Sequence, residues 1–294
     1  MRTIYWNIAD VDDYKKFPEV QVPNKAPVFN FIPGSKNIVL PKEYFEKYQT
    51  SDLDDFLKQS GSLAFIVIRN DTLLKERYFN GYSRSSIFPS FSVAKSFVSA
   101  LTGIAVQEGW ISNVQDPVTK YIPDMKDKRF REVSLENLLN MRAGLCFDES
   151  NILPGAALPS LYYGRNLAQL VKNMHIENPP DSVYQYQSVN TQILAMVLEN
   201  ASGKKMEELL AERIWQPLGM EFPASWSIDS KKNGNVKAFC CLNARAIDFA
   251  KFGRLYLNNG YWDGVQIIPV SWIERTRQIV NDSRDSQNYP YSYH

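Results

Sequence analysis

The sequence predicts an α+β fold, in which an antiparallel sheet is flanked by helices and joined to a mostly helical region. Residues 63–68 and 73–79 are β-rich runs, and Asn70 and Asp71 between them favour a tight turn, so the two runs predict a hairpin. Downstream of the hairpin, apolar residues recur mainly at helical spacing. A chain of 294 residues, 44% of them hydrophobic, is long enough to bury a large core.

Residues 1–50 have no regular pattern, because prolines are spread through them at Pro18, Pro23, Pro27, Pro33 and Pro41. We expect residues 1–50 to form an N-terminal arm that wraps the body rather than a separate domain. Residues 51–294 are then expected to form one domain, since no internal repeat or low-complexity segment divides them.

Several helices are predicted after the hairpin. One begins at Ser92, because residues 96–106 are apolar nearly all round and suit a helix buried in the middle of a domain. Ser134 is predicted to cap a second helix that is ended by Gly144. Apolar periodicity predicts the later helices at about 189–197, about 206–215, 243–258 and from Ser271 onward.

A long loop is predicted over residues 148–165, which contain Pro154, Gly155, Pro159 and Gly164. Loops of this length are often functional, so we expect this one to rim the site and to shape substrate choice. Its candidate lining residues are Tyr162, Tyr163 and Arg165; a solvated aromatic loop is the alternative.

Composition excludes several functional classes. The formal net charge is +1 with no long run of either sign, which gives no indication of nucleic-acid binding. No stretch approaches the ~20 apolar residues of a membrane span. Residues 1–6 lack the basic and then apolar layout of a signal peptide, so the chain is either intracellular or the mature part of an exported protein.

The three cysteines, Cys146, Cys240 and Cys241, do not predict a disulfide framework. Their count is odd, and adjacent cysteines rarely bridge without strain, so we expect three small buried hydrophobes. Metal-binding motifs are absent, because there is no C-x-x-C pair and only two histidines. No cofactor or metal is expected.

Ser92 and Lys95 form an S-x-x-K pair whose side chains would share one helical face, one turn apart. A lysine kept neutral there could accept the serine proton, which is the role of histidine in other serine enzymes. The positive end of the helix would favour the neutral lysine. Only His175 and His294 exist, in a polar stretch and at the last position, so no Ser-His-Asp triad is expected. An ordinary N-cap serine is the alternative, and the tetrad alone favours it.

A second S-x-x-K pair is formed by Ser202 and Lys205. We interpret Ser202 as a surface loop residue that precedes a short amphipathic helix, whereas Ser92 leads into an apolar one. The context therefore favours Ser92 as the functional serine.

Five segments, taken together and in order, resemble the serine β-lactamase-like family of class C β-lactamases, DD-peptidases and related esterases. Within that family they most resemble the branch that contains 6-aminohexanoate-dimer hydrolase. The segments are FSVAKSF at 91–97, LLNMRAGL at 138–145, YQSVN at 186–190, IWQPLGM at 214–220 and FAKFGRL at 249–255. The resemblance covers roughly residues 63–272 and implies a β-lactamase/transpeptidase-like fold.

The resemblance implies a serine hydrolase that cleaves an ester or amide bond through an acyl-enzyme, with no cofactor. It implies that Ser92 is the nucleophile, Lys95 its proton acceptor, and Tyr186 the general base or acid that passes a proton to the leaving group. Ser188 and Asn190 are implied as supporting hydrogen bonders for the substrate, and Ser188 stands where many relatives carry asparagine. The expected partner is a small ester, amide or peptide-like substrate, with no nucleic acid.

The family's third motif, often Lys-Thr-Gly or His-x-Gly on a strand near the C-terminus, is not found after the last predicted helix. The resemblance pairs that part of the fold with the N-terminal hairpin, and a lone hairpin is marginal in water. We therefore expect the C-terminal strands to be missing, the domain at 51–294 to be incomplete, and residues beyond His294 to complete both sheet and site.

Alternative functions stay open. An esterase or amide hydrolase is preferred to a true β-lactamase, because the expected Tyr-x-Asn and Lys-Thr-Gly elements are altered or missing. The other candidates are a non-catalytic penicillin-recognising or scaffold domain, which the missing motif favours, and a DD-peptidase. Relatives of this kind are often exported, so a periplasmic or cell-envelope location is favoured over the cytoplasm. The natural substrate and the oligomeric state are not predicted.

Overall fold

The computed structural model describes residues 9–34, 41–50, 52–278 and 291–293. Parts of the predicted arm, residues 1–8 and 35–40, and the terminal His294 lie outside the described residues. Within the described part of the chain, no helix is long and apolar enough to cross a membrane.

The described strands and helices alternate along the chain without a regular repeat. The strands are β1 (Glu19–Val22), β2 (Ile32–Pro33), β3 (Ala64–Arg69), β4 (Thr72–Tyr78), β5 (Phe88–Pro89), β6 (Ala224–Ser227), β7 (Leu242–Ala244), β8 (Tyr261–Trp262) and β9 (Val265–Gln266). The helices are α1 (Lys42–Tyr48), α2 (Leu53–Gln59), α3 (Val93–Gln107), α4 (Val118–Tyr121), α5 (Leu135–Leu139), α6 (Ala157–Tyr163), α7 (Leu167–Lys172), α8 (Ser188–Ser202), α9 (Met206–Leu210), α10 (Ala246–Leu257) and α11 (Val270–Arg277). A π-helical turn, Ala211–Trp215, continues α9.

The predicted hairpin is confirmed. Strands β3 and β4 pair antiparallel, with Ala64 opposite Tyr78 and Arg69 opposite Thr72. Asn70 and Asp71 both adopt positive φ angles, 50° and 59°, as a tight hairpin turn requires. The two-residue strand β2 extends this sheet by pairing parallel to β4.

A second sheet was not predicted, because its strands are short and far apart in the sequence. It has four strands in the order β1-β6-β7-β5, and all of its pairings are antiparallel. Strand β1 comes from the segment predicted to be irregular, so the arm contributes a strand to the body, with Glu19 opposite Ser227 and Val22 opposite Ala224. Strand β1 forms because it pairs with β6, which is far away in the sequence. Local composition does not reveal such a partner.

Two long helices, α3 and α8, pack against each other in the core. Both were predicted, and nearly every residue of each is buried over its first three turns. Gly103 of α3 lies against the indole of Trp272 in α11, and a Cβ atom at Gly103 would lie 2.5 Å from that ring. The Phe97 ring stacks on Phe252 of α10 with 3.7 Å between the ring centroids. The core therefore supports the start of α3 from several sides.

The helix capped by Ser134 is confirmed at its start and differs at its end. Ser134 Oγ accepts a hydrogen bond from the N–H of Asn137, whose side chain accepts one in return from the N–H of Ser134. The helix ends at Leu139, because Met141 leaves helical geometry with a φ of 55°. Gly144 instead sits at a close approach of two chain segments, where a Cβ atom would lie 2.2 Å from the carbonyl oxygen of Asn178.

Three other predictions need correction. Residues 148–165 are not one loop, because they contain α6, in which Pro159 occupies the first turn, where proline is tolerated. Residues 243–258 begin in strand β7, and the helix starts only at Ala246. Ser202 is the last residue of α8 rather than a loop residue.

The cysteine prediction is also wrong in part. Cys240 and Cys241 are joined by a disulfide, although adjacent cysteines are an unusual pair, and both are buried. Cys146 carries a free thiol and is exposed rather than buried. The local sequence does not reveal the disulfide, because the bond depends on how the chain turns at Cys241, whose φ is 69°.

Candidate active site

Ser92 lies where β5 turns into α3. Ser90 holds this turn: its N–H donates to the carbonyl oxygen of Leu242 at 2.8 Å, and its Oγ accepts from the N–H of Leu242 at 3.2 Å. Phe91 then adopts a φ of 43°, a left-handed conformation that is costly for a non-glycine residue and persists only when its surroundings hold it. Ser92 is left exposed at the N-terminus of α3.

Lys95 and Tyr186 converge on Ser92. Lys95 Nζ donates to Ser92 Oγ at 3.0 Å, and the Tyr186 hydroxyl donates to the same Oγ at 2.9 Å. Lys95 Nζ also lies 5.0 Å from the centroid of the Tyr186 ring. The structure thus brings together the three residues that the sequence nominated as nucleophile, base and acid, although Tyr186 is 94 positions from Ser92 in the chain.

Lys95 is a buried amine beside an exposed hydroxyl. Its exposed fraction is 2%, and its Nζ also donates to the carbonyl oxygen of Phe239 at 2.9 Å. Burial disfavours the ammonium and lowers the pKa of Lys95 to about 8, while the charge of Glu149 acts in the opposite direction. With a pKa of about 8, about a tenth of Lys95 is neutral at pH 7 and about half at pH 8, so the neutral amine that a proton acceptor must be is present near neutral pH.

Tyr186 is half-buried, and its hydroxyl keeps its proton at neutral pH. Burial raises the pKa of Tyr186, while the hydrogen bond to Ser92 acts in the other direction and the charge of Glu149 raises the pKa further. The Tyr186 ring also meets the ring of Tyr291 edge-on, with 5.8 Å between the centroids. A protonated phenol beside the nucleophile is placed to give a proton to a leaving group.

Glu149 is a site residue that the sequence did not reveal. Its Oε2 accepts from the N–H of Ser188 at 2.8 Å, and its Oε1 accepts from the Ser188 hydroxyl at 2.6 Å. Glu149 therefore binds the first residue of α8, which lies two positions after Tyr186. These bonds tie the segment that contains Glu149 to the start of α8. An acidic residue in a loop is usually solvated, so the sequence gives no reason to assign Glu149 to the site. Only its contact with Ser188 in the folded chain does so.

Ser188 and Asn190 both lie close to Tyr186 in the chain, but they bond to protein groups. Ser188 is occupied by Glu149, and Asn190 is fully buried, with its Nδ2 donating to the carbonyl oxygen of Gln187 at 3.1 Å and to Met141 Sδ at 3.3 Å. A direct contact of Ser188 or Asn190 with substrate stays a prediction. In this structure both side chains form hydrogen bonds within the protein at the start of α8, directly after Tyr186.

A cleft of about 620 Å³ opens beside Tyr186. Its lining includes three carboxylates and the free thiol: Asp148, Glu149, Glu177 and Cys146. Residues 148–150 therefore border the candidate site, as expected for the start of the predicted loop.

The three residues nominated at the end of that loop lie elsewhere. Tyr162 is buried and its hydroxyl donates to Asp13 Oδ2 at 2.7 Å, and Tyr163 stacks on Phe17. Arg165 lines a different cavity, of about 510 Å³, that Lys16 also borders. Helix α6 turns Tyr162 and Tyr163 into the core, where their rings bury more apolar surface than a site rim would allow.

The remaining candidates do not join the site. His175 is exposed, with Asp127 as its nearest carboxylate at 3.9 Å. Ser202 Oγ donates back to the carbonyl oxygen of Leu198, and Lys205 Nζ lies 3.6 Å from Glu199. Among the described residues, no group of three or more histidine, cysteine, aspartate or glutamate side chains is placed to hold a metal ion.

Comparison with known proteins places the chain in a known family. The β-lactamase family matches residues 51–236 of the chain. The 6-aminohexanoate-dimer hydrolase of Paenarthrobacter ureafaciens is 24% identical over 258 residues, which cover 81% of this chain and 64% of that protein. The chain thus spans less than two thirds of the length of that relative. A D-aminopeptidase of Brucella anthropi is 30% identical over 135 residues, or 45% of this chain and 25% of that protein.

Solved structures agree with the sequence comparison. A Bacillus anthracis protein provisionally assigned as a 6-aminohexanoate-dimer hydrolase superposes with a TM-score of 0.77 at 28% identity, covering 88% of this chain and 70% of that one. An octameric penicillin-binding protein homologue from Pyrococcus abyssi superposes with a TM-score of 0.65 at 17% identity, covering 86% of this chain and 64% of that one. The second likeness concerns the fold alone. The α+β, β-lactamase/transpeptidase-like fold predicted from the sequence is confirmed.

Proposed function

Because the chain belongs to the β-lactamase family, we propose that it is a serine hydrolase that cleaves an ester or amide bond through an acyl-enzyme on Ser92. The observation that carries the proposal is the convergence of Lys95 Nζ and the Tyr186 hydroxyl on Ser92 Oγ, at 3.0 and 2.9 Å. A nucleophile with a base of lowered pKa on one side and a proton donor on the other is what acyl transfer requires.

Acylation follows from these positions. Neutral Lys95 takes the proton of Ser92 as Oγ attacks the substrate carbonyl carbon, which forms a tetrahedral intermediate with a negative oxygen. We propose that the N–H of Ser92, the N-cap residue at the positive end of α3, donates to that oxygen. Tyr186 gives its proton to the departing nitrogen or oxygen and regains one from Lys95, so the acyl group remains on Ser92 and Lys95 is neutral again.

Deacylation uses the same groups in reverse order. Water takes the place of the leaving group beside Tyr186 and loses a proton to Lys95 by way of the phenol as its oxygen attacks the ester carbonyl. The Ser92 Oγ–carbon bond breaks, and Oγ recovers a proton from Lys95. The product acid leaves and the site returns to its starting state.

We propose an ester or a linear or cyclic amide as the substrate rather than a β-lactam. The support is the altered tyrosine motif, in which Ser188 stands in place of asparagine and is already bonded to Glu149. Hydrolysis of a short-chain aryl ester should exceed hydrolysis of a chromogenic cephalosporin. Faster turnover of the cephalosporin would reverse this ranking.

The proposal is tested by intact-mass analysis after exposure to a fluorophosphonate probe. We expect one adduct on the parent chain, none on Ser92→Ala, and one on Ser202→Ala, which removes the serine of the other S-x-x-K pair as a matched control. An unlabelled parent chain that is folded by circular dichroism would contradict the proposal and favour a non-catalytic binding domain. In that case Ser92→Ala should keep the same affinity for a penicillin ligand as the parent.

A further inference from the structure

The disulfide between Cys240 and Cys241 lies between two residues that hold the candidate catalytic groups. On one side, the carbonyl oxygen of Phe239 accepts from Lys95 Nζ at 2.9 Å. On the other side, Leu242 pairs with Ser90, two positions before Ser92, through the hydrogen bonds of 2.8 and 3.2 Å. The bonded cysteine pair thus lies between Phe239, which binds the proposed base Lys95, and Leu242, which holds the turn before the proposed nucleophile Ser92.

We propose that the Cys240–Cys241 disulfide is a positioning element of the active site, which fixes the carbonyl of Phe239 on Lys95 and makes the reactivity of Ser92 sensitive to thiol reductants. The inference rests on the proposed function, because it concerns the proton acceptor of that reaction. Neither cysteine touches the reacting atoms, so both act through Phe239 and Leu242.

The surrounding structure holds this turn from the outside. Trp226 Nε1 donates to the carbonyl oxygen of Cys240 at 2.9 Å, and the N–H of Ser227 donates to that of Cys241 at 3.0 Å. Gln192 of α8 receives the N–H of Ala238 at 3.0 Å and donates to the carbonyl of Val236. The Trp226 bond therefore holds the peptide between the two cysteines through a single hydrogen bond, and the disulfide adds a covalent limit on the rotation of that peptide.

A disulfide between neighbouring residues closes a small ring through their shared peptide bond, so ψ of the first cysteine and φ of the second cannot vary freely. Cys241 has a φ of 69°, which is unfavourable for a side-chain-bearing residue without such a constraint. Reduction by a dithiol breaks the Sγ–Sγ bond, delivers two electrons and two protons to the cysteines, and leaves a disulfide in the reductant. The released residues can then relax out of the left-handed conformation.

Relaxation of the turn would remove one of the two hydrogen-bond acceptors of Lys95. The titratable groups that face Lys95 are Tyr186, whose ring is 5.0 Å from Nζ, and Glu149, whose charge stabilises the ammonium. The Phe239 carbonyl is a third group that stabilises the ammonium, because its oxygen accepts from Nζ. Its loss should lower the pKa of Lys95 further and leave the amine less well aimed at Ser92.

The first test counts thiols. In a Cys146→Ser background, which removes the exposed thiol, the protein is equilibrated with oxidised glutathione, unfolded in guanidinium and treated with iodoacetamide. We expect no added mass without reductant and two carbamidomethyl groups after dithiothreitol. Two groups without reductant would show that the cysteines do not pair and would overturn the inference, whatever the protein's activity.

The second test measures the rate of fluorophosphonate labelling of Ser92 against pH in the oxidised and reduced forms of the Cys146→Ser protein. We expect reduction to slow labelling about tenfold on the alkaline plateau, where Lys95 is neutral, because the amine loses a hydrogen bond that aims it at Ser92. Reduction should also move the midpoint of the acid limb to lower pH, because the ammonium loses an acceptor. Reoxidation should restore both values. Cys240→Ser/Cys241→Ser in the same background should behave like the reduced protein and should not respond to dithiothreitol.

The outcomes separate the two proposals. Labelling whose rate and midpoint are the same in both redox states would overturn the positioning role while leaving the hydrolase proposal intact. Loss of folding on reduction, seen by circular dichroism without a shifted midpoint in the residual labelling, would also overturn it, because a merely structural bond predicts that pattern. An oxidised protein that is never labelled at Ser92 would instead contradict the proposed function.

Discussion

The Nζ atom of Lys95 lies 3.0 Å from the Oγ atom of Ser92, yet Lys95 is 2% exposed while Ser92 stands open to solvent. The contrast is useful for catalysis, because burial disfavours protonation of Lys95 while the Ser92 hydroxyl remains accessible to substrate. It is also costly for folding, since an amine that prefers to be charged is held in the core.

Replacing Lys95 by methionine should therefore reduce activity and increase stability. The rate of ester hydrolysis should fall by about 10² to 10⁴, the usual range for a general base. The free energy of unfolding at pH 7 should rise by about 1–3 kcal/mol, because the pKa of Lys95 is lowered from 10.5 to about 8 and each pKa unit corresponds to about 1.4 kcal/mol.

Urea unfolding at several pH values tests the same variant. Between about pH 8 and 10.5 the unfolded lysine holds its proton while the folded one has lost it, so the wild type gains stability as pH rises and the advantage of Lys95→Met should shrink. Lys205→Met, in the other S-x-x-K pair, should change neither property by much. An active Lys95→Met protein would remove Lys95 from the mechanism.

The activity should depend on pH through Lys95. Only the neutral amine accepts a proton, so kcat/KM should rise with pH through a midpoint near 8 and fall tenfold per pH unit well below it. Glu149→Gln removes a charge that stabilises the ammonium, which should move this midpoint to lower pH. Asp148→Asn, one position earlier, also removes one negative charge but leaves the bonds between Glu149 and Ser188 intact. This variant should leave the midpoint closer to that of wild type. Equal shifts in the two variants would argue against a specific role of Glu149.

Replacing Tyr186 by phenylalanine should remove the proton donor and keep the ring. The contact with Tyr291 and the position of Lys95 over the ring would remain, so the unfolding transition should move little. The value of kcat should fall by about 10² to 10⁴, with a larger loss for amides than for activated esters, because an amine leaving group needs the proton more. Tyr261→Phe, at an exposed position, is the control. Equal losses for amides and activated esters would contradict the role of proton donor.

Gly144 should be needed for its lack of a side chain as well as for its backbone conformation. Its φ is 69°, and a Cβ atom would lie 2.2 Å from the carbonyl oxygen of Asn178, in the segment that leads to Tyr186. Gly109 has a similar φ of 75° with no atom within 4 Å of such a Cβ. Gly109→Ala should therefore cost only the conformational term of about 1–2 kcal/mol, and Gly144→Ala clearly more, as measured by urea unfolding. Equal costs would mean that the segment shifts freely.

The sequence predicted the hairpin, the helix that begins at Ser92, the helix at about 189–197, and the cap at Ser134 because their signals are local. Apolar periodicity, turn residues and capping residues act within a few positions of the chain. The sequence also nominated Ser92, Lys95 and Tyr186 through motifs that resemble a known family. That nomination states which residues belong together, but not how far apart their atoms are.

Only the tertiary structure decided the features that depend on distant partners. Strands β1, β5, β6 and β7 are too short to be recognised until they pair with one another. Tyr162 and Tyr163, expected at the site, are drawn into the core, while Glu149 and the carbonyl of Phe239 meet the site although neither has a signal in the sequence.

The physical reason is the range of the interactions. The i, i+3 spacing of Ser92 and Lys95 on a helix is determined by the sequence alone, because one helical turn brings these side chains together. The lowered pKa of Lys95, the approach of Tyr186 and the disulfide turn beside Phe239 depend on which distant segments exclude water around one amine. That arrangement exists only once the core has packed.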